Sequence, residues 1–265
     1  MGCLLVSARF HDGRYHGRPD WPPSPARLFQ ALVAGAAQGG TLAAEDWRAF
    51  GWLESLKPPV IAAPPMRAGQ SLRNYVPNND LDAVGGDPRR VEEIRAPKLI
   101  RPILFDAETP LLYLWPFDDV VEAQANAHRI CAIAERLYQL GRGVDMAWAW
   151  GEILSAEQAE VRIAAQDGAV YRPIRGAGGT TLAIPLEGSV ASLVERYLEM
   201  RKRFRTLYQP KPTRREPDRQ VAAGEIFAQP RKPRFRRSPM AVGLRVCSSI
   251  SSARAHRGAL TASSN

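Results

Sequence analysis

Chemically useful side chains are concentrated near the N-terminus, in the sequence Arg14-Tyr15-His16-Gly17-Arg18. Cleavage of RNA by its own 2′-hydroxyl requires a general base, a general acid and a cation for the developing charge, and Tyr15, His16 and Arg14 are residues of these types. Adjacent side chains alternate in direction along an extended loop, however, so the three need not converge. Binding of RNA, with arginines on phosphates and aromatic rings on bases, requires no catalysis and is the preferred interpretation. A single arginine is more often an ordinary surface residue, so this interpretation predicts that several of the arginines converge.

Similar side chains recur along the chain. Residues 72–80 combine an arginine, amide side chains and a tyrosine, which can stack on a base and hydrogen-bond to its edges. Residues 172–180 form a glycine-rich turn whose amides can approach a phosphate, although such turns between strands are also common without a ligand. Trp21, beside prolines, is either a stacking residue or a packing anchor for the next helix. The candidate RNA-binding set is Arg14, Tyr15, His16, Arg18, Trp21, Arg27, Arg73, Asn74, Tyr75, Arg142 and Arg175.

No metal or cofactor site is predicted. The acidic pairs Glu92-Glu93 and Asp118-Asp119 fall in a loop and at a helix start, where solvation or the helix dipole explains them. The three cysteines are widely spaced and form no Cys/His pattern, so they are expected to be reduced and structural.

These side chains must be positioned by a folded domain. Residues 2–10 are typical of a buried strand, and Ser24 followed by Pro25 predicts the start of a helix with an apolar stripe. Further along, the pattern predicts helices over 44–56, 120–140 (ended by Gly141) and 191–207, strands over 60–63, 144–150 and 181–186, a long exposed insertion over 66–100, and a hairpin formed by 101–105 and 111–115. This order predicts an α+β fold with a ferredoxin-like or RNA-recognition-motif-like antiparallel sheet and helices.

Positive charge is concentrated at the C-terminal end of the chain. Residues 195–265 contain 17 of the 36 Lys and Arg residues but only five of the 27 Asp and Glu residues. A segment this basic either binds an anion, of which nucleic acid is the commonest large example, or is a solvated tail. The predicted organisation is a domain over 1–207, a basic proline-rich linker over 208–240 and a disordered tail over 241–265. No apolar run is long enough to span a membrane, and a cytoplasmic location is expected.

The segment from Gly13 to Val33 resembles the start of one CRISPR-associated family, the type I-U (also called I-G) fusion of the Cas-five and Cas-six subunits. Residues 75–80 (YVPNND) and 140–142 (LGR) are similar to two later landmarks of that family. Together these motifs cover roughly residues 1–207. Because members of the family are about twice this length, the resemblance implies that this chain corresponds to the N-terminal, Cas-five-like part.

That resemblance implies a CRISPR RNA-binding subunit of a type I antiviral effector complex, which caps the 5′ handle of the guide RNA and scaffolds assembly. The implied partners are CRISPR RNA and other subunits of the complex, and contact with target DNA is possible. The alternative is a metal-independent endoribonuclease that processes CRISPR repeat RNA, with Tyr15 and His16 as candidate catalytic residues. The resemblance, however, implies that this activity belongs to the C-terminal half of the full-length family members, which is expected to be missing from this chain. A third interpretation is a truncated remnant that is unstable without its partners.

Overall fold

The structure, a computed structural model, describes residues 1–17, 20–77, 89, 92, 95–176, 178–207 and 232–245. In chain order, its helices and strands are β1 (Gly2–Phe10), β2 (Arg14–Tyr15), α1 (Pro25–Ala36), α2 (Ala44–Ser55), β3 (Val60–Ala63), β4 (Met66–Ala68), β5 (Leu72–Pro77), β6 (Arg95–Ile100), β7 (Ile103–Phe105), β8 (Leu111–Phe117), α3 (Val121–Ala134), β9 (Ala147–Ser155), α4 (Ala156–Ala164), β10 (Gly168–Pro173), β11 (Thr180–Ile184), α5 (Ser189–Leu207) and β12 (Arg236–Arg245). Within the described ranges, no helix is both long and apolar enough to cross a membrane.

The first helix begins where the sequence predicts. The Ser24 hydroxyl accepts a hydrogen bond from the backbone N–H of Arg27 at 3.4 Å, and Pro25 occupies the first turn, where its missing N–H costs no helical hydrogen bond. Leu28 and Leu32 are fully buried. The predicted N-cap and apolar stripe are therefore confirmed, and this helix fixes the chain that follows the Arg14–Gly17 loop.

The main sheet has the strand order β11-β12-β10-β3-β8-β1-β9, and all its neighbouring strands are antiparallel. Four of these strands, in the order β3-β8-β1-β9, form a ferredoxin-like core. In that core, α1 and α2 connect β1 to β3, and α3 connects β8 to β9. The predicted α+β class is confirmed. The remaining three strands extend this core beyond β3.

Both faces of the sheet carry helices. Along β1, Leu4 and Val6 lie in the large apolar core with side chains of α1, α2 and α3, whereas the alternate residues Cys3 and Leu5 pack with Ala159 and Ile163 of α4. In RNA-recognition motifs the helix-free face of the sheet is the surface on which bases stack. Because α4 covers part of that face here, the ends of the strands are more accessible to a ligand than the centre of the sheet.

The structure corrects the predicted hairpin of 101–105 with 111–115. The β7 strand pairs instead with β2 and β4 in a separate three-stranded sheet of order β2-β7-β4, whereas β8 pairs with β1 and β3 in the main sheet. The turn between them is closed by the Asp106 carboxylate, which accepts hydrogen bonds from the hydroxyl of Thr109 and the N–H of Glu108. A local turn signal is therefore real, but tertiary pairing separates the two strands. The predicted insertion over 66–100 also contains strands, since β5 and β6 form a two-stranded hairpin.

The predicted helix over 120–140 is too long. The structure ends α3 at Ala134, and the chain then turns so that the N–H of Leu140 donates to the carbonyl of Asp145. Leu137 and Leu140 are buried all the same, which explains why their spacing resembles a continuing helix. Gly141 has a φ of +129° but lies in this turn, not at a helix end. The following strand, predicted over 144–150, is β9 and runs over Ala147–Ser155.

The predicted linker and tail are wrong for residues 236–245. These residues form β12, which is paired on both sides, with β10 and with β11. Ser238 and Met240 are buried within it. Its sequence contains a proline, which argues against an interior strand, and is flanked by arginines, so local pattern gave no strand signal. Residues 232–235 are described and belong to no helix or strand, and the remaining residues of the predicted linker and tail, 208–231 and 246–265, lie outside the described residues.

Candidate nucleic-acid interface

The register of the small sheet places two arginines on one face. Leu104 in β7 is paired with Arg14 of β2 on one side and with Arg67 of β4 on the other. Residues directly opposite each other in a sheet point to the same face, so these arginines flank Leu104. The next row, Tyr15 and Ile103, faces the opposite way and is buried in the core. One face of this sheet is therefore polar and cationic, and the other anchors it to the domain.

The cationic face forms the floor of an open groove of about 740 Å³, here called the basic groove. Its polar lining consists of Arg14, His16, Arg67, Gln70, Ser71 and Arg101. No carboxylate is among its lining residues in the described part of the chain. Arg14 is ion-paired with Asp12 at 3.7 Å, but both side chains are more than half exposed, so water screens this pair strongly. Arg101 is held by a hydrogen bond from its Nε to the carbonyl of Gly69 at 3.1 Å. Such a groove favours an anion.

His16 is the one imidazole in the groove lining, and a buried carboxylate holds it. Its Nδ1 lies 2.7 Å from Oδ1 of Asp145, and its backbone N–H donates to the same oxygen at 2.9 Å. The Asp145 side chain is fully buried, whereas that of His16 is 17% exposed. In the tautomer of His16 that carries its proton on Nδ1, this N–H donates to the Asp145 carboxylate, and Nε2 is the imidazole nitrogen that can accept a hydrogen bond. The arrangement therefore orients an imidazole at the wall of the basic groove.

The turn over residues 140–145 positions the carboxylate of Asp145. The second oxygen of Asp145 accepts a hydrogen bond from the N–H of Arg142 at 2.6 Å, and the N–H of Asp145 donates to the carbonyl of Arg142 at 2.8 Å. Gly141 is required here, because a Cβ at this position would overlap the Asp145 carboxylate and lie 2.8 Å from the ring of Tyr15. Asp145 is 129 residues from His16 in sequence, and sequence reasoning missed it. The nearby Leu140-Gly141-Arg142 motif was the available signal.

Tyr15 and Trp21 occupy packing positions. Tyr15 is fully buried, its hydroxyl donates to the carbonyl of Gly17 at 3.4 Å, and burial raises its pKa well above the usual value of 10.0. Trp21 is half-buried, and its ring centroid lies 5.9 Å from that of Tyr15 and 5.0 Å from that of Phe105. The expected stacking of bases on Tyr15 does not fit its burial, nor does its alternative role as an acid or base. For Trp21, the structure matches the packing-anchor alternative.

The other candidate residues lie around the groove or away from it. Arg27 is half-buried; it donates to the carbonyl of Gly17 at 3.3 Å and pairs with Asp20 at 3.5 Å, so it braces the loop that carries His16. Arg142 is exposed beside that loop. Arg73, Asn74 and Tyr75 are exposed on β5, which leaves the groove at Leu72, and Tyr75 is 63% exposed.

Two candidates are not brought to this site. Arg18 lies outside the described residues. Arg175 lines a different cleft at the opposite end of the sheet, together with Phe117, which pairs with Gly2 at the start of β1. Arg67 and Arg101, in contrast, line the groove although sequence reasoning did not select them. Their position depends on strand pairing between distant segments, and nothing in their local sequence indicates it.

The thiols and carboxylates do not form a metal centre in the described part of the chain, where no three His, Cys, Asp or Glu side chains are grouped at ligating distance. Cys3 is buried and Cys131 is partly buried, and both are free. Burial raises the pKa of the Cys131 thiol to about 11. A thiol with this pKa is a poor nucleophile at neutral pH.

The fold and the groove define the class of protein: an α+β domain with a ferredoxin-like core and a cationic groove at the end of its sheet. The chain belongs to the CRISPR-associated protein family GSU0054, whose family model matches residues 2–220. It is therefore a protein of CRISPR antiviral defence. No curated protein matches the sequence. One similar solved structure is described as "Crystal structure of a CRISPR protein from Archaeoglobus fulgidus"; it is 12% identical, the match covers 69% of this chain and 77% of that chain, and the TM-score is 0.34.

Proposed function

We propose that this protein is a CRISPR RNA-binding subunit of a type I effector complex, and that the basic groove holds the 5′ handle of the guide RNA. The observation that carries the proposal is the convergence of Arg14, Arg67 and Arg101 around His16 with no carboxylate in the lining. Guanidinium groups bind phosphate oxygens through two parallel N–H donors, and a cluster of them in a lining without carboxylates attracts a polyanion. The ion pair of Arg14 with Asp12 offsets little of this attraction, because both side chains are exposed and water screens the pair. The family places this groove in a CRISPR system, where RNA is the expected polyanion.

The hairpin of β5 and β6 extends the proposed RNA path beyond the groove. Paired residues share a face, so Arg73 and Tyr75 lie on one face of the hairpin, while Asn74 and Lys98 lie on the other. Exposed Tyr75 offers a ring for stacking on an unpaired base, and Arg73 on the same face offers a cation for a phosphate. In this proposal, the groove positions the backbone of the RNA and the hairpin contacts splayed bases.

The finer assignment follows the resemblance in the N-terminal motif. We infer that the chain is the Cas-five-like part of a type I-U (I-G) Cas-five/Cas-six fusion, acts in the cytoplasm, and contacts other subunits of the complex while bound to the guide RNA. Contact with target DNA belongs to the same proposal.

The test is binding of the full chain to labelled CRISPR repeat RNA, measured by fluorescence anisotropy across a salt series. Arg67→Ala and Arg101→Ala should each weaken binding about tenfold and lower the slope of log K against log salt by about 0.7, the value expected for one single-strand phosphate contact. Arg201→Ala is the matched control, because Arg201 is an exposed arginine on α5 outside the groove lining. Equal binding by all three variants and the unmodified protein would contradict the proposal, as would equal affinity for a scrambled RNA.

A second candidate function is metal-independent cleavage of repeat RNA, and the hydrogen bond between His16 and Asp145 favours it. In this reaction the 2′-oxygen attacks the phosphorus, the 5′-oxygen leaves, and the products carry a 2′,3′-cyclic phosphate and a 5′-hydroxyl. Nε2 of His16 can take the 2′-proton, and groove arginines can stabilise the developing charge. Because Tyr15 is buried, the described groove provides no obvious acid for the leaving oxygen, and binding remains the first proposal.

Cleavage is tested by incubating repeat RNA with the full chain in EDTA and separating the products on a gel. The endonuclease proposal predicts a single cut that is lost in His16→Ala and in His16→Gln, while both variants still bind the RNA. Intact RNA with the unmodified protein contradicts it. A cut that persists in both variants contradicts the assigned role of His16.

A further inference from the structure

A second cationic cleft lies at the opposite end of the main sheet. It has a volume of about 850 Å³ and is here called the distal cleft. Its charged lining consists of Lys57, Arg175, Arg236 and Arg237, with Asp118 as the one carboxylate. Its apolar lining includes Val60, Ile174 and Ile184. All four cationic side chains are exposed. Within the part of the chain that the structure describes, no ion pair neutralises any of these four.

The cleft exists because β12 enters the sheet. The strand begins at Arg236, which pairs with Ile184 at the end of β11, while β10 ends at Pro173 beside Met240. Arg175 follows directly from β10, and Lys57 comes from the connection between α2 and β3. Segments from three distant parts of the sequence therefore bring cations to one opening. This placement separates Arg175 from the other candidate RNA-binding residues.

The distal cleft is too far from the basic groove to hold the same nucleotide. The start of β1 lies at the distal cleft, where Phe117 pairs with Gly2, and its end at Phe10 leads into the loop that carries His16. From its first Cα to its last, a strand of nine residues spans about 26 Å at roughly 3.3 Å per residue. The two sites therefore lie at opposite ends of the central strand.

The turn after Arg175 is open to an incoming group. Gly176 has a φ of +97°, and a Cβ at this position would meet no atom within 4 Å. Gly178 has a φ of +141°, and a Cβ there would come no closer than 3.9 Å to Ile174. The positive φ values explain the glycines, and the open space means that neighbouring atoms do not block the backbone. Glycine-rich turns of this kind allow backbone amides to approach phosphate oxygens.

We propose that the distal cleft binds the phosphate backbone of a second segment of single-stranded nucleic acid, independently of the basic groove. Three of the four cations are arginines, whose planar donor pairs match phosphate oxygens. The aliphatic side chains between them can cover the apolar surfaces of riboses and bases. Guide RNA and single-stranded DNA share this chemistry, and the experiment distinguishes them. The inference does not rest on the function proposed for the basic groove.

The test uses the full chain and two fluorescent probes, a ten-residue oligouridine and a ten-residue oligothymidine, in anisotropy titrations over a salt series. The test variant combines Arg175→Ala, Arg236→Ala and Arg237→Ala. The charge-matched control combines Arg172→Ala, Arg201→Ala and Arg234→Ala, at exposed arginines outside the distal cleft. We expect the test variant alone to lose one equivalent of bound oligonucleotide, and the slope of log K against log salt to fall by about 2, or about 0.7 for each phosphate contact.

If the test variant loses binding of just one of the two probes, the proposal is supported, and that probe identifies the ligand as RNA or DNA. Unchanged binding in the test variant overturns it, and so does an equal loss in the charge-matched control. A thermal melt of each variant checks folding; if the triple variant unfolds, Lys57→Ala and Arg175→Ala, both at exposed loop positions, replace it under the same criteria. Arg67→Ala with Arg101→Ala, run in parallel, reports only on the basic groove, so failure of one proposal is distinguishable from failure of the other.

Discussion

His16 illustrates how the surroundings of a single residue determine what its side chain can do. Its neighbours in sequence, Tyr15 and Gly17, contribute packing and a backbone turn, whereas Asp145 from a distant turn orients its ring. The carboxylate accepts three hydrogen bonds in all, two of them from backbone N–H groups, so it is fixed before any ligand arrives. This residue is held in one orientation, which serves either of the two functions proposed for the groove.

Gly141 provides a test of this arrangement at the residue scale. Gly141→Ala should lower the free energy of unfolding by roughly 2–4 kcal/mol, because the new Cβ meets the Asp145 carboxylate and the ring of Tyr15, and the φ of +129° is strained for alanine. Chemical denaturation measures the change. If the basic groove binds RNA as proposed, that binding should weaken as well, since the turn that holds His16 must shift.

Gly143→Ala is the matched control, two residues away in the same turn. A Cβ at Gly143 meets no atom within 4 Å, and its φ is not in the positive region. We expect this variant to be within about 0.5 kcal/mol of the unmodified protein. If both variants lose the same unfolding free energy, contact of the new side chain with Asp145 and Tyr15 is not the cause of the loss.

Among the elements, α5 depends on a carboxylate from another helix. Glu54, near the end of α2, is buried, and its two oxygens accept hydrogen bonds from the N–H groups of Val190 at 2.6 Å and Gly188 at 2.9 Å. These are backbone donors at the start of α5, where the first turn has no helical acceptors. The same turn is tied to the approach to β12, because the hydroxyl of Ser189 donates to the carbonyl of Arg234 at 2.6 Å. One carboxylate thus links α2 and α5 next to the segment that leads to the last strand.

Burial raises the pKa of Glu54 above its usual value of 4.5, and the hydrogen bonds from Val190 and Gly188 offset this only in part. The folded state therefore holds this proton more tightly than the unfolded state does. The contribution of this titration to stability is fully present below pH 4.5 and is lost as the pH rises through the folded-state pKa.

Glu54→Gln removes that titration. The difference in unfolding free energy between the unmodified protein and Glu54→Gln should be largest at acid pH and should shrink as the pH rises towards 7. Urea denaturation at a series of pH values measures it. Glu122→Gln, at an exposed position on α3, is the control, because it makes the same chemical change without altering a buried carboxylate. A Glu54 difference that grows with pH would mean that hydrogen bonding, not burial, controls its pKa.

At the scale of the whole molecule, β12 decides where the domain ends. It lies between β10 and β11, so removing it leaves β11 without a strand partner among the described elements. Its removal also takes the buried side chain of Met240 out of the apolar core. The interior position explains why a short basic segment matters for stability: a strand buried in a sheet satisfies backbone hydrogen bonds on both of its edges.

Truncation tests this boundary. A chain ending at residue 207 should lose its cooperative thermal transition or melt many degrees lower, because one side of the sheet is unpaired and apolar core is exposed. A chain ending at residue 245 retains β12 and should melt within a few degrees of the full protein. Circular dichroism and limited proteolysis measure both. Equal melting of the two truncated chains would contradict the structural role of β12 and restore 1–207 as the domain.

The sequence by itself determined the elements that depend on local chemistry. Ser24 and Pro25 predict the start of α1 because capping and a first-turn proline act within four residues, and the apolar run of β1 predicts a buried strand. The alternation of helices and strands also predicted the α+β class, and the N-terminal motif indicated a CRISPR-associated protein, as the family match confirms at that level. Each of these signals is carried by neighbouring residues.

Only the tertiary structure decided which distant segments meet. It separated β7 from β8, ended α3 before Leu137, and inserted β12 into the sheet despite its proline and charges. It also paired His16 with Asp145 and placed Arg67 in the same groove as Arg14. The physical reason is that strand pairing and burial are cooperative properties of the whole chain, since a strand gains its hydrogen bonds only from a partner whose position local sequence does not specify.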